Sequence, residues 1–285
     1  MSSPLRAAAI AIVSLAAPAA AQGPASWTEP AAPFQITDDI AYVGSKGLAA
    51  YLIRGSDGLI LIDGTMAENV PAIERNIQAL GFKLSDVKLL LNSHAHFDHA
   101  AGLAQLKADT GAHLVASAAD RRALETGVPP SVVSYGVVRF PPVTVDDTLA
   151  DGRPVRLGNL ALTPMLTPGH TPGCTTWSTT STYQGRAVRV VFPCSQTVAG
   201  NKLVGNSGYP GIVADYRRSF PKMAALKAHI VLPFHPEAGD LMARAERQRA
   251  GERGAFLAPD LLQRITAQSK ATFEAELAKE QAAAR

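Results

Sequence analysis

The sequence predicts an α/β protein built as a four-layer αββα sandwich, two stacked β-sheets with helices on the outer faces. Three observations predict it. Short apolar or alternating runs separated by turn residues give way to helix-period segments over residues 31–150. The same grammar returns over 151–285, so each half can supply one sheet and the helices that cover it. Histidine-bearing loops follow three of the apolar runs, at the carboxyl ends of strands, where open α/β sheets usually carry their chemistry. With 285 residues, 47% hydrophobic and 18% charged, the chain can bury a substantial core and is globular rather than disordered. Residues 22–285 are expected to form one domain.

The first 21 residues stand apart. Arg6 is followed by an apolar stretch, residues 7–17, and then by Pro18-Ala19-Ala20-Ala21. A charged start, a short hydrophobic segment and an A-x-A site predict an export signal cleaved after Ala21. A membrane anchor is the competing reading, for which the segment is short; no later run approaches the ~20 apolar residues a span needs. The 27 Lys and Arg against 24 Asp and Glu give a net charge of +3, or +2 once Arg6 is removed. Charges so balanced and scattered give no reason to expect a nucleic-acid partner.

After a loop holding Pro30 and Pro33, strands are expected at Phe34–Ile36, Ile40–Val43, Leu48–Ile53 and Leu59–Asp63. Gly44, Gly47 and the Ser56-Asp57-Gly58 turn divide them into an antiparallel meander. Val70, Ile73, Ile77 and Leu80 recur at helical spacing, Pro71 is tolerated in a first turn, and Gly81 ends the helix. Val87–Leu91 is an apolar run bounded by polar residues and reads as a buried strand. A helix through Lys107, a strand at His113–Ala116 and a helix at Ala118–Thr126 follow. Residues 128–142, VPPSVVSYGVVRFPP, show no clear period and read either as a functional lid or as a loop packed onto the body.

In the second half, strands are expected near 143–149, 155–157 and 160–166. A hairpin of 174–180 and 187–193 turns at Gln184-Gly185. A helix around Tyr216–Lys227, a strand at His229–Pro233 and helices over 237–249 and 259–280 complete the chain. The hairpin places Cys174 nearly opposite Cys194. Cross-strand neighbours lie about 4.5–5.5 Å apart at Cα, within reach of a disulfide, and an exported protein permits one. If one cysteine faces the core and the other does not, no bridge forms; both alternatives stand.

The chemistry gathers in LLLNSHAHFDHAAG, Leu89 to Gly102. Three of the chain's seven histidines, His94, His96 and His99, fall there with Asp98. Imidazole nitrogens at i and i+2 on a loop can face one ion, and Asp98 and His99 can serve another; these are ligand types that zinc takes. A loop that is rich in histidine by chance is the bland alternative, against which this concentration argues. His170, in Thr167-Pro168-Gly169-His170-Thr171-Pro172-Gly173, and His235, in Val231-Leu232-Pro233-Phe234-His235-Pro236, again follow strands. Alone, each reads as a turn histidine. Together they suggest one site of His94, His96 and His170 and a second of Asp98, His99 and His235, each leaving a position open for water, as catalytic zinc requires. His113 and His229 have no assigned role.

HAHFDH, TPGHTPG and the late HP resemble the metallo-β-lactamase superfamily, in order and spacing, over almost the whole chain after residue 21. The resemblance implies an αββα sandwich with metal ions at the edges of its two sheets. The superfamily includes thioesterases of the glyoxalase II type, lactonases, phosphodiesterases and alkylsulfatases, and the motif alone does not choose among them. Many relatives carry a metal-bridging Asp after the strand that here ends Val190-Val191-Phe192-Pro193-Cys194-Ser195-Gln196; no Asp or Glu stands there. That is similar to subclass B3 of the class B β-lactamases, as are GFKLSDVKLLLNSHAHFDHAAG and HPEAGDLMAR. The likeness implies two zinc ions per chain sharing a hydroxide that Asp98 orients, and Ser195 facing the site with Cys194 turned away. Ser195 and Thr197 would contact the carboxylate of a penicillin, cephalosporin or carbapenem, and Asn201–Gly211 and the 128–142 loop would form walls. It implies further a periplasmic antibiotic-resistance enzyme, expected as a monomer. A lactonase or other ester hydrolase, and a zinc-binding protein without catalysis, are the alternatives.

Overall fold

A computed structural model describes residues 23–285, so the expected export signal lies outside the described residues. The first sheet has seven strands in sequential order: β1 (Phe34–Gln35), β2 (Ile40–Tyr42), β3 (Tyr51–Gly55), β4 (Gly58–Ile62), β5 (Val87–Leu91), β6 (His113–Ala116) and β7 (Asp147–Thr148). The meander β1 to β4 is antiparallel; from β4 onward the pairs are parallel. Parallel neighbours need crossovers. Helices α1 (Val70–Ala79), α2 (Phe97–Ala100), α3 (Leu103–Thr110) and α4 (Ala118–Thr126) supply them. The second sheet, ordered β12-β11-β10-β9-β8, comprises β8 (Val155–Leu157), β9 (Leu160–Leu166), β10 (Thr175–Tyr183), β11 (Arg186–Phe192) and β12 (Ile230–Val231). It carries α5 (Ile212–Ala225), α6 (Leu241–Arg249) and α7 (Leu261–Ala283).

Successive strand residues point to opposite faces. Ile60 and Ile62 of β4 therefore join Trp177, Val190 and Phe192 in the core between the sheets, while Leu59 and Leu61 pack with Ile73, Ile77, Leu103 and Leu106 under the helices. Both faces of β4 are buried, which is why its sequence is a continuous apolar run. On the other side, Val191 and Val231 meet Met223 of α5 and Leu262 of α7. Four layers result, as expected.

Several bounds differ, each for a local reason. β3 begins at Tyr51, not Leu48, because the Leu48 carbonyl turns back to accept from the Ser45 amide at 2.9 Å and the Tyr42 hydroxyl at 3.0 Å. The expected strand over 143–149 shortens to Asp147–Thr148: Val143 and Val145 are buried against the helices, and the Val143 amide donates to Leu124 instead of a strand partner. Asp98 and His99 lie in a helical turn, α2, rather than on an open loop. This turn is separated from α3 at Gly102, where a Cβ would lie 2.2 Å from the Gly64 carbonyl oxygen. The helix expected over 237–249 is a 3-10 turn, Pro236–Gly239, followed by α6. In the hairpin, Trp177 pairs with Phe192, and Cys174 is bridged to Cys194 with Cα atoms 5.8 Å apart. With its sulfur in the bridge, Cys194 offers no free thiol as a metal ligand.

Candidate metal centre and its cavity

The six side chains singled out in the sequence converge at the carboxyl ends of β5, β9 and β12. His94 and His96 lie between β5 and α2, Asp98 and His99 in α2, His170 in the turn after β9, and His235 after β12. One ligand atom each from His94, His96 and His170 lie within 4.8 Å of one another, and the same holds for His94, Asp98 and His99. His235 completes the second group: its Nε2 is 3.2 Å from His99 Nε2 and 3.4 Å from Asp98 Oδ2, while His99 Nε2 is 3.3 Å from that same oxygen. All but His235 are buried.

Partner chemistry fixes the tautomers. A carbonyl only accepts, so His170 Nδ1 donates to Thr197 O at 2.7 Å. Asp63 Oδ2 accepts from His99 Nδ1 at 3.1 Å and from Ser93 Oγ at 2.6 Å. Ser93 Oγ, having donated, accepts from His94 Nδ1 at 2.9 Å. Asp63 Oδ1 takes the Ser93 amide at 2.7 Å and Asn92 Nδ2 at 3.1 Å. One carboxylate thus orients an imidazole from each group. With their Nδ1 atoms donating, His94 and His170 aim lone pairs at each other from Nε2 atoms 3.1 Å apart, and His96 Nε2 is buried with no partner. A shared cation relieves that opposition: nitrogens about 2.0–2.1 Å from a tetrahedral zinc lie about 3.3 Å apart. Outer hydrogen bonds of this kind are what hold metal-binding imidazoles in place.

Charge divides the two groups. Burial, followed by the neighbouring imidazoles, lowers the pKa of His94 and of His170; burial lowers His96 to about 4 despite Asp98 beside it. These three are neutral at pH 7. Burial alone would lower His99 too, but Asp98 and Asp63 outweigh it and raise the group to about 10. Burial would raise the Asp98 carboxyl; His99 and His235 overcome that and hold it well below the usual carboxylate range.

The two histidine loops are tied by Asp120, whose buried carboxylate accepts from the Ala95 amide at 2.9 Å, Thr171 Oγ1 at 2.7 Å and the Gly173 amide at 2.8 Å. Gly169 has φ +144°, and a Cβ there would meet the Tyr216 ring at 2.7 Å. The Pro-Gly flanks of His170 therefore let the turn close on α5.

The group opens onto a cavity of about 590 Å³. Ser195 and Thr197 line it with hydroxyl oxygens 3.1 Å apart, as do Trp27, Phe97, Tyr135 and Glu237. Of the 128–142 loop, Tyr135 reaches this cavity. The stretch Asn201–Gly211, expected as a wall, does not line it. Asn201 Nδ2 instead donates to the carbonyls of His170 and Val198, and the Leu203 and Val204 amides donate to Glu280 of α7. Sequence reasoning missed Asp63, Ser93 and Asp120. For Asp63 a signal existed: this buried carboxylate directly follows β4, which stops at Ile62 rather than at the expected Asp63, and such a position is costly unless the group is fully hydrogen-bonded.

Comparison with known proteins agrees with this geometry. Residues 47–235 match the family model of the metallo-β-lactamase superfamily. BJP-1, a subclass B3 metallo-β-lactamase of Bradyrhizobium japonicum, is 42% identical with a TM-score of 0.86, over 92% of this chain and 99% of that one. FEZ-1 of Legionella gormanii is 37% identical with a TM-score of 0.84, over 89% and 98%. A metallo-β-lactamase of Cronobacter sakazakii is 39% identical with a TM-score of 0.84, over 90% and 98%, and is described by a HARLDQ motif; residues 94–99 here read HAHFDH. A hydroxyacylglutathione hydrolase of Methylobacterium nodulans is 32% identical over 99 residues, 35% of this chain. The chain spans about a third of such curated relatives, 31% and 38% of their lengths.

Proposed function

The chain belongs to the metallo-β-lactamase superfamily, and from that premise we propose that it is a zinc-dependent hydrolase of the β-lactam amide bond, of the subclass B3 kind. The observation that carries this is the convergence of two adjoining sets, His94, His96 and His170 beside Asp98, His99 and His235, on one side of a cavity large enough for a bicyclic antibiotic. Each set offers three donors, which suits two zinc ions with open positions. Zinc bound there supplies a Lewis acid and brings the pKa of water near neutrality. The chain's own residues do the rest. Asp98, ionised at neutral pH, presents a carboxylate that can accept a hydrogen bond from attacking water and aim it at the carbonyl. Ser195 and Thr197 offer paired hydroxyls to the ring carboxylate, and Trp27 and Phe97 give an apolar wall that keeps bulk water from the bond being broken. Among the described residues no helix is long and apolar enough to cross a membrane. Export after cleavage at Ala21, a periplasmic location, a single domain over 22–285 and a monomeric state complete the proposal.

Partial similarity to hydroxyacylglutathione hydrolases favours an ester or thioester hydrolase as the second reading. Hydrolysis of a cephalosporin and a carbapenem, with and without a chelator, separates the readings. Chelator-sensitive antibiotic turnover, abolished in His96→Ala, supports the first; turnover of lactones or thioesters alone supports the second. Stoichiometric zinc with no turnover of any of these would sink both.

A further inference from the structure

Helix α5 lies under the turn that carries His170 and holds it at three points. Ser219 Oγ donates to the Pro168 carbonyl at 2.6 Å. The Tyr216 ring fills the space that Gly169, lacking a Cβ, leaves open. The Tyr216 hydroxyl donates at 2.6 Å to the Thr197 carbonyl, the same oxygen that accepts from His170 Nδ1. Tyr216 is 2% exposed, and its ring centroid lies 5.7 Å from that of Phe220 on the same helix and 4.8 Å from that of Phe273 on α7. Burial raises its pKa far above the ordinary phenol value, so the hydroxyl keeps its proton and stays a donor. Thr197 itself lies in a stretch, residues 193–200, that belongs to no helix or strand, and its amide reaches Ser195 Oγ only at 3.4 Å. Without the phenol, the Thr197 carbonyl would have His170 as its one partner and would move with it. With it, the carbonyl is fixed to a packed helix of 14 residues and gives the imidazole a stationary acceptor.

We propose that Tyr216 is a positioning residue for the set His94, His96 and His170: by pinning the Thr197 carbonyl it fixes the ring of His170, and so the direction in which Nε2 faces a bound ion. The inference rests on the zinc reading above. Outer hydrogen-bond partners orient metal-binding imidazoles and strengthen their hold on the ion. Tyr216 stands one bond further out. Its loss leaves no ligand unpaired, because the Thr197 carbonyl keeps its bond from His170 Nδ1. Removing the hydroxyl should therefore be felt in metal binding more than in stability.

The test is Tyr216→Phe, which keeps the ring and its packing and deletes the hydroxyl. The control is Ser219→Ala, which cuts α5 from the same turn at a carbonyl that touches no imidazole. Competition with a chromophoric chelator reads the affinity of the metal-free protein for its first equivalent of zinc. In the cobalt-loaded protein, paramagnetic NMR reads how fast the His170 Nδ1 proton exchanges with water. Tyr216→Phe is expected to lower the first affinity about fivefold, as for one lost hydrogen bond, and to speed the exchange. Its melting temperature without metal should stay near that of the wild type, which also checks the fold. Ser219→Ala is expected to lower the melting temperature and to leave the other two readouts near those of the wild type. An affinity or an exchange rate unchanged in Tyr216→Phe overturns the proposal. So does an equal loss of affinity in Ser219→Ala, which would mean that any loosening of the turn suffices. If the wild type binds no zinc, the metal reading fails first, and that result is distinct.

Discussion

Zinc added to the metal-free protein is expected to fill the three-histidine set first and to displace an imidazole proton only with the second equivalent. His94, His96 and His170 are held neutral by burial, with His96 at about 4, so their lone pairs are available at pH 7. His99 is not: Asp98 and Asp63 raise it to about 10, and a metal must displace its proton. Near pH 7 that displacement spans about three pH units at roughly 1.4 kcal/mol each, a penalty of about 4 kcal/mol on the second site alone. Near pH 8.5 the penalty falls to about 2 kcal/mol. Displacing the His99 proton should therefore make the second affinity rise about thirtyfold more than the first between the two conditions. Calorimetric titration in two buffers of different ionisation enthalpy reads both quantities. A second equivalent whose heat is independent of the buffer, or two sites with the same pH dependence, would refute the reasoning.

The same shifts predict how the metal-free protein responds to pH. His99, raised, contributes stability that is complete below about pH 6.5 and is lost as pH climbs toward 10; His96, lowered, contributes stability that is complete above about 6.5 and is lost as pH falls toward 4. The melting temperature in chelator should peak near neutrality and decline on both sides, and a monotonic curve would contradict the assignment. Asp120→Ala leaves the Ala95 and Gly173 amides and the Thr171 hydroxyl unpaired and should cost more than about 3 kcal/mol in urea unfolding; a loss below 1 kcal/mol would mean that water replaces the carboxylate. Removing the Cys174–Cys194 bridge, which closes a loop of 20 residues in sequence, should lower stability by about 3 kcal/mol, read from the denaturation midpoint of the Cys174→Ser, Cys194→Ser double variant.

The convergence of the six side chains was legible in the sequence because each sits in a short motif directly after an apolar run, and a strand's end fixes where the next residues go. The hairpin and its bridge were legible for a similar reason: a two-residue turn at Gln184-Gly185 sets the register of everything before and after it. The partners of Asp63 were not, because Asn92, Ser93 and His99 lie about 30 residues away and meet it only once β4 and β5 pair. The Asn201–Gly211 stretch misled for the opposite reason. Its glycines allow it to turn either way, and the choice is made by Glu280, some 77 residues downstream, capturing two of its amides.

Thr197 turns two ends of one peptide unit to different uses. Its hydroxyl faces the cavity, while its carbonyl oxygen receives both His170 Nδ1 and, at 2.6 Å, the Tyr216 hydroxyl. The tether on the imidazole is thus written in main chain, which every amino acid possesses. Substitution at position 197 can therefore reshape the lining of the cavity while the tether survives, so the two can change independently.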